Sequence, residues 1–139
     1  MDPITSLAAS AVAVLSPYLA KAGEEFAKEA GKAAANKFGA LYQFLKTRFK
    51  KIPVAKEALA DLEANPENED AKAALRRQLT KQMNADKAFI DALRKMLDEI
   101  DQDDRSHTFL TQVYGGEVGQ IINAHYIESI KYKKDSKPK

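Results

Sequence analysis

The chain has 139 residues, no cysteine and a formal net charge of +2, which suits one compact domain with an appendage. The missing cysteines exclude a disulfide framework and thiolate chemistry and fit a reducing cytoplasm, while a charge so near zero excludes the strongly basic balance of a dedicated nucleic-acid binder. The charges are unevenly spread: residues 21–53 carry eight Lys/Arg against three Glu, residues 54–105 nine against thirteen acids, and the segment from 106 five Lys against three acids.

No charged residue lies between Pro3 and Ala20. The start Met1-Asp2-Pro3 has no Lys or Arg before the apolar run, so the positive region of a signal peptide is missing. Eighteen helical residues would span about 27 Å against the ~30 Å of a bilayer core. Thr5, Ser6, Ser10, Ser16 and five alanines make the run too weakly apolar for a constitutive span. Asp2-Pro3 reads as an N-cap and first helical position. A first helix is predicted from Pro3 to about Leu15, with Ile4, Leu7, Ala8, Ala11, Val12 and Leu15 on one face. Ser16-Pro17 predicts a break.

A long second helix is predicted from about Pro17 to Lys51, with an apolar stripe through Leu19, Ala22, Phe26, Ala30, Ala33, Phe38, Leu41, Leu45 and Phe49. Beside it, Gly23, Ala27, Gly31, Ala35 and Gly39 recur every four residues. Such a small-residue ridge lets another backbone approach, within the monomer or during a rearrangement. Three helices are predicted to follow: Val54–Ala64 burying Ala55, Leu59 and Leu62; Pro66–Met83 burying Ala71, Ala74, Leu75, Leu79 and Met83; and Asp86–Ile100 burying Phe89, Ile90, Leu93, Met96, Leu97 and Ile100. Asp101–Arg105 reads as a charged, core-free linker. The expected fold is mainly α: a helical bundle of about five helices over residues 1–100, a linker at 101–106, a strand-prone carboxyl-terminal motif at 107–132 and a basic tail at 133–139.

Catalysis finds little footing, and the chain is not expected to be an enzyme or to hold a cofactor or metal. His107 and His125 are the only histidines, and no HExxH spacing, phosphate loop or serine elbow occurs. Asp101, Asp103 and Asp104 lack the glycine and closing glutamate of a calcium loop. Two basic clusters stand out: Lys46, Arg48, Lys50 and Lys51, and Lys131, Lys133, Lys134, Lys137 and Lys139. Each suits anionic lipid, or simply a cationic helix end and a solubilising tail.

From Thr108 onward the vocabulary changes to Val, Ile, Thr, Tyr and Phe, residues of strands. Gly115-Gly116 and Asn123-Ala124 divide the segment into strand candidates 108–114, 117–123 and 125–132. Isolated strands this short need another surface to complete them. Low charge without proline suits stacking on further copies, with Gln120 and Asn123 as amide ladders.

Val113-Tyr114-Gly115-Gly116, then Val118-Gly119-Gln120-Ile121-Ile122-Asn123, then Tyr126-Ile127-Glu128-Ser129-Ile130 resemble the bacterial amyloid signalling motifs. These are akin to the necroptosis homotypic-interaction motif with its Val/Ile-Gln-Val/Ile-Gly core. Gly119 separates Val118 from Gln120, and Asn123 stands where that core has glycine. The start Met1-Asp2-Pro3-Ile4-Thr5 with its uncharged Ala-rich helix resembles the Bell domain of bacterial cell-death effectors. So does Leu62-Glu63-Ala64-Asn65-Pro66-Glu67-Asn68, with Leu75, Leu79, Asp86, Leu93 and Leu97 beyond it. Bell domains are regarded as analogous to the helical membrane-attacking domains of fungal heterokaryon-incompatibility effectors.

The resemblance implies a cytoplasmic cell-death effector activated by templating. An upstream receptor with a matching motif nucleates the tail, copies of the chain assemble with one another, and the clustered helical domains move to the inner membrane. The first helix would be the active part. Ile4, Leu7, Val12, Val14, Leu15 and Leu19 represent about 10 kcal/mol of gross burial, so they dock in the bundle at rest or enter anionic membrane when released. The main rival is a soluble adaptor whose tail recruits a partner by strand addition. An enzyme or ligand-binding domain, and a tail folded back as a hairpin, are the remaining alternatives.

Overall fold

The computed structural model describes residues 3–21 and 23–114. They form α1 (Pro3–Ala20), α2 (Gly23–Ala30), α3 (Lys32–Phe49), α4 (Pro53–Ala64), α5 (Glu69–Ala85), α6 (Lys87–Gln102) and α7 (Asp104–Tyr114). Among the described residues there are seven helices and no strand.

Local chemistry sets most of the boundaries. Pro53 opens α4 and leaves Ile52 extended at φ −120° and ψ 94°, because the residue before proline avoids helical angles. Asn68 caps α5 by accepting the Ala71 N–H at 2.9 Å. Asp86 caps α6 by accepting the Ala88 N–H at 3.0 Å. Asp103 caps α7 by accepting both the Ser106 N–H at 2.9 Å and the Ser106 hydroxyl at 2.7 Å. Each cap satisfies helix-start N–H groups that would otherwise have no partner.

Several sequence expectations are corrected. The first helix does not stop at Leu15 but runs through Pro17 to Ala20. A proline inside a helix removes a hydrogen bond and crowds the carbonyl four residues back, at about 3 kcal/mol. Burial of Pro17 and the ring contacts of Tyr18 offset that cost. The long second helix is two helices, α2 and α3, parted at Gly31. Gly31 has φ +96°, a backbone conformation that glycine adopts freely and other residues rarely do. The ridge Gly23, Ala27, Gly31, Ala35, Gly39 is therefore split between two helices and is not one continuous stripe. Among the described residues the bundle has seven helices where about five are expected. Asp101–Arg105 is no core-free linker: it holds the end of α6, a capping residue and the start of α7. Residues 108–114 are helical, not a strand, because Phe109 and Leu110 fill the core from one helix face.

Helix directions follow from who lies beside whom. Phe44 stacks on Phe89 at 5.5 Å, and Ala33, Lys37 and Ala40 line a depression with Met96 and Glu99, so α3 and α6 are antiparallel. Ser16, Pro17 and Ala20 lie beside Glu67 and Lys72. Ala9, Val12 and Ala13 lie beside Lys72 and Arg76. Hence α1 is antiparallel to α5. One pole of the bundle then carries the amino end of α1, the α3–α4 turn and the α5–α6 turn. The other pole carries the carboxyl end of α1, the α2–α3 junction, the α4–α5 turn and the α6–α7 turn.

Candidate functional site

The uncharged helix α1 is the centre of the molecule. It packs against α3, α4, α5 and α6. Leu7, Ala11, Val14 and Leu15 are completely buried, and Ala8 and Val12 are 1 % exposed. At 100° per residue these positions reach far round the helix axis, so α1 is embedded rather than laid on one face. Among the described residues α1 is the helix long and apolar enough to cross a membrane by length and composition, with mean hydropathy 1.4 over 18 residues. A buried core helix meets the same measure. In the folded chain 56 % of that stretch is buried.

Its polar groups are handled in different ways. The Ser16 hydroxyl donates to the Val12 carbonyl at 2.9 Å, keeping itself satisfied within the helix. The Ser6 hydroxyl is buried with no hydrogen-bond partner among the described residues. Leaving such a group unpaired costs about 1–3 kcal/mol.

The least covered strip of α1 faces α5. Thr5 and Ala20 are exposed, and Ala9 and Ala13 between them are half-buried. Two open depressions lie along this strip. One of about 390 Å³ is lined by Ser16, Pro17, Ala20, Lys21, Lys72 and Val113. The other, of about 230 Å³, is lined by Ala9, Val12, Ala13, Lys72 and Arg76. Lys72 is tied to Glu69 at 3.4 Å and Lys21 to Glu29 at 2.9 Å. The Glu29 hydrogen bond pushes the Lys21 pKa up, against some desolvation.

At the carboxyl end of α1 sits an aromatic cluster. Tyr18 meets Phe26 edge-on at 5.1 Å and lies 6.5 Å from Phe38 and 6.0 Å from Tyr42. Phe109 of α7 joins it, 4.8 Å from Phe26 and 6.2 Å from Phe38. Offset and edge-to-face rings of this kind add about 0.5–1.5 kcal/mol per pair beyond their burial. Gly39 leaves room for Tyr18: a Cβ there would stand 3.0 Å from the Tyr18 hydroxyl. Burial, then a 2.7 Å hydrogen bond to Glu63, pushes the Tyr42 phenol up to about 12.

Arg48 fastens the other pole. It pairs with Asp86 at 2.9 Å, reaches Gln82 at 3.3 Å and lies 4.8 Å from the Phe89 ring centre. The Arg48 hydrogen bond holds the Asp86 carboxyl below its usual range, against a smaller desolvation effect. Arg48 is thus a strut joining α3, α5 and α6, unlike the exposed lysines that follow it.

The residues singled out for membrane action fall together. Leu7, Val12, Val14 and Leu15 are core, and Ile4 and Leu19 are partly buried against it. Of the assembly motif, Val113 and Tyr114 end α7. Gly115, Gly116, Val118, Gly119, Gln120, Ile121, Ile122, Asn123, Tyr126, Ile127 and Ile130 lie outside the described residues, as do the strand candidates 117–123 and 125–132. His107 faces Asp101 at 3.5 Å on the surface. Among the described residues no group of three or more His, Asp or Glu is placed to hold a metal ion. Sequence reasoning missed α7 as the partner of α2. Its signal was present in Ser106, Phe109, Leu110 and Val113, spaced as one helix face behind an Asp103 cap.

Comparison with known families matches residues 1–137 to the Het-E N-terminal domain. No curated protein and no solved structure matches the chain. The match covers nearly the whole sequence and is consistent with a helical domain of the cell-death, heterokaryon-incompatibility type. On that match, and with the described residues mainly helical around an uncharged central helix, the chain belongs to the Het-E N-terminal domain family.

Proposed function

We propose that this chain is a cell-death or defence effector in which assembly of the segment beyond Tyr114 clusters the helical domain and α1 then permeabilises membrane. The observation carrying this reading is the composition of α1 in its setting: eighteen residues without a charge, long enough to cross a bilayer core, held inside a bundle. The family match supports the cell-death character. The partners would be further copies of the chain, an upstream receptor with a matching motif, and an anionic membrane reached from the cytoplasm.

The position of α1 sets the energetics. A helix embraced by four others cannot swing out on a hinge. Its release costs a large share of the domain's stability, typically about 5–15 kcal/mol. Transfer of its apolar side chains into lipid returns about 25 cal/mol per Å². Clustering supplies the remainder as effective concentration, in the millimolar range for short linkers. The reading therefore predicts a quiet monomer and a collective, threshold-like response.

One observation favours the soluble-adaptor reading: burial of α1 on nearly every side is also what a permanent core helix shows. Dye release from anionic vesicles, with seeds made from a 106–139 peptide, separates the two. The effector reading expects release only when seeds are present. An adaptor leaves the vesicles intact under every condition.

A further inference from the structure

The bundle is electrically polar along its length. At the pole with the α3–α4 and α5–α6 turns, residues 46–57 carry five Lys/Arg and one Glu, and residues 81–87 carry two Lys and one Asp. At the opposite pole, residues 61–70 carry five acids and no Lys or Arg, and residues 98–105 carry five acids and one Arg. The overall charge of +2 conceals this separation.

The basic pole also carries an apolar tip. Val54 is 62 % exposed and, with Val113, is one of two large hydrophobic side chains so exposed among the described residues. It stands in the run Lys50-Lys51-Ile52-Pro53-Val54-Ala55-Lys56. Lys50, Lys51 and Lys56 are exposed, and none of them forms an ion pair among the described residues. Arg48 and Asp86 neutralise each other behind them, so the free positive charge is carried by the lysines of the turn.

We propose that the α3–α4 turn is a docking surface for anionic phospholipid, with Val54 as its apolar tip, and that it sets the bundle with the amino end of α1 toward the bilayer. Charge complementarity carries the partner. Reversible attachment to a membrane surface takes two signals, apolar burial and electrostatic attraction, and this turn presents both at one point. Distance makes the polarity effective. Screening in physiological salt is about 8 Å, whereas α1 alone is about 27 Å long. The acids of the far pole therefore lie beyond the reach of the surface potential when the turn is in contact. Docking itself does not depend on membrane attack by α1. Only its consequence, that α1 is presented amino end first, rests on the function proposed above.

The test uses the full chain, without seeds, and co-sedimentation with vesicles of phosphatidylcholine alone or with added phosphatidylglycerol. Wild type is expected to bind only the anionic vesicles and to be released by high salt. Each lysine near an anionic surface strengthens binding by about fivefold. The exposed triple variant Lys50→Glu, Lys51→Glu, Lys56→Glu should then bind at least about a hundredfold more weakly. A charge-matched control, Lys28→Glu, Lys32→Glu, Lys95→Glu, should bind as wild type does. Equal losses in the two triple variants would overturn the proposal, as net charge alone would then govern binding. So would binding of wild type to a duplex oligonucleotide but not to vesicles. Seeded dye release on the same samples keeps the two readings apart. Wild type that docks yet never releases dye upholds the docking surface and defeats membrane attack. A Lys50/Lys51/Lys56 variant that sediments with anionic vesicles as wild type does defeats the docking surface alone.

Discussion

Gly31→Ala distinguishes a broken helix pair from a continuous one. Gly31 sits between α2 and α3 with φ +96°. With ψ 156° the position lies in a positive-φ extended region that only glycine adopts readily, and an L-residue forced there costs about 1–3 kcal/mol. The added Cβ would stand 2.9 Å from Arg105 Nε and 3.1 Å from its Cζ. Arg105 is exposed, so its flexible end can move at little cost and the backbone strain dominates. In a continuous helix over residues 17–51 the same change would remove an interior glycine and stabilise by about 1 kcal/mol. The two pictures thus differ by about 2–4 kcal/mol and in sign. Urea unfolding followed by circular dichroism measures the difference, with Gly31→Ala in an Arg105→Ala background isolating the backbone contribution. Destabilisation of about 1–3 kcal/mol is expected in both backgrounds. A Gly31→Ala protein as stable as wild type, or more stable, would refute the break at Gly31 and restore the small-residue ridge as one surface.

Further outcomes follow from the packing and the caps. Phe109→Ala should destabilise by about 3–5 kcal/mol, since Phe109 is 2 % exposed among Phe26 and Phe38; a loss below about 1 kcal/mol in urea unfolding would mean that α7 is not core. Asp103→Ala should cost about 1 kcal/mol near neutral pH by removing the α7 cap. The hydrogen bonds from Ser106 hold the Asp103 carboxyl below its usual range, so its contribution is present above the unfolded value near 3.9 and fades as pH falls through the lower folded value. Stability curves of wild type and Asp103→Ala should therefore converge in acid. Subtracting the ultraviolet titration of Tyr42→Phe from that of wild type isolates one phenol, expected to ionise near pH 12. Because its folded pKa is raised, that phenol's contribution is full below the unfolded value near 10 and is lost as pH rises toward 12.

Much of this architecture is written locally in the chain. Pro53 and Asp86 announce the starts of α4 and α6 through the chemistry of caps and first turns, whereas α5 begins at Glu69 behind the Asn68 cap and not at Pro66; the inward faces of those helices follow the apolar period. Ala74, Ile90 and Met96 come out only partly buried, as suits the flanks of such a face. The departures are places where tertiary packing overrides local preference. Pro17 argues for a break, yet its own burial and the Tyr18 rings carry α1 through it. Gly31 argues for nothing special, because Ala27 and Ala35 keep the same spacing on either side; only the backbone angle reveals the turn. Thr108, Val113 and Tyr114 favour strands in isolation, but Phe109 and Leu110 bury best as adjacent positions of a helix. The candidate site was legible in composition, as an apolar stretch free of charge. Its central position was not, because a membrane helix and a fully embraced core helix have the same composition.

The central claim is that α1 exchanges the bundle core for lipid. The chain has no tryptophan, so Ile4→Trp places a single reporter at the partly buried amino end of α1. Its fluorescence is read with anionic vesicles carrying brominated acyl chains, before and after seeding with the 106–139 peptide. The account predicts little quenching at rest and strong quenching after seeding, rising together with dye release. Dye release with the tryptophan unquenched would contradict it.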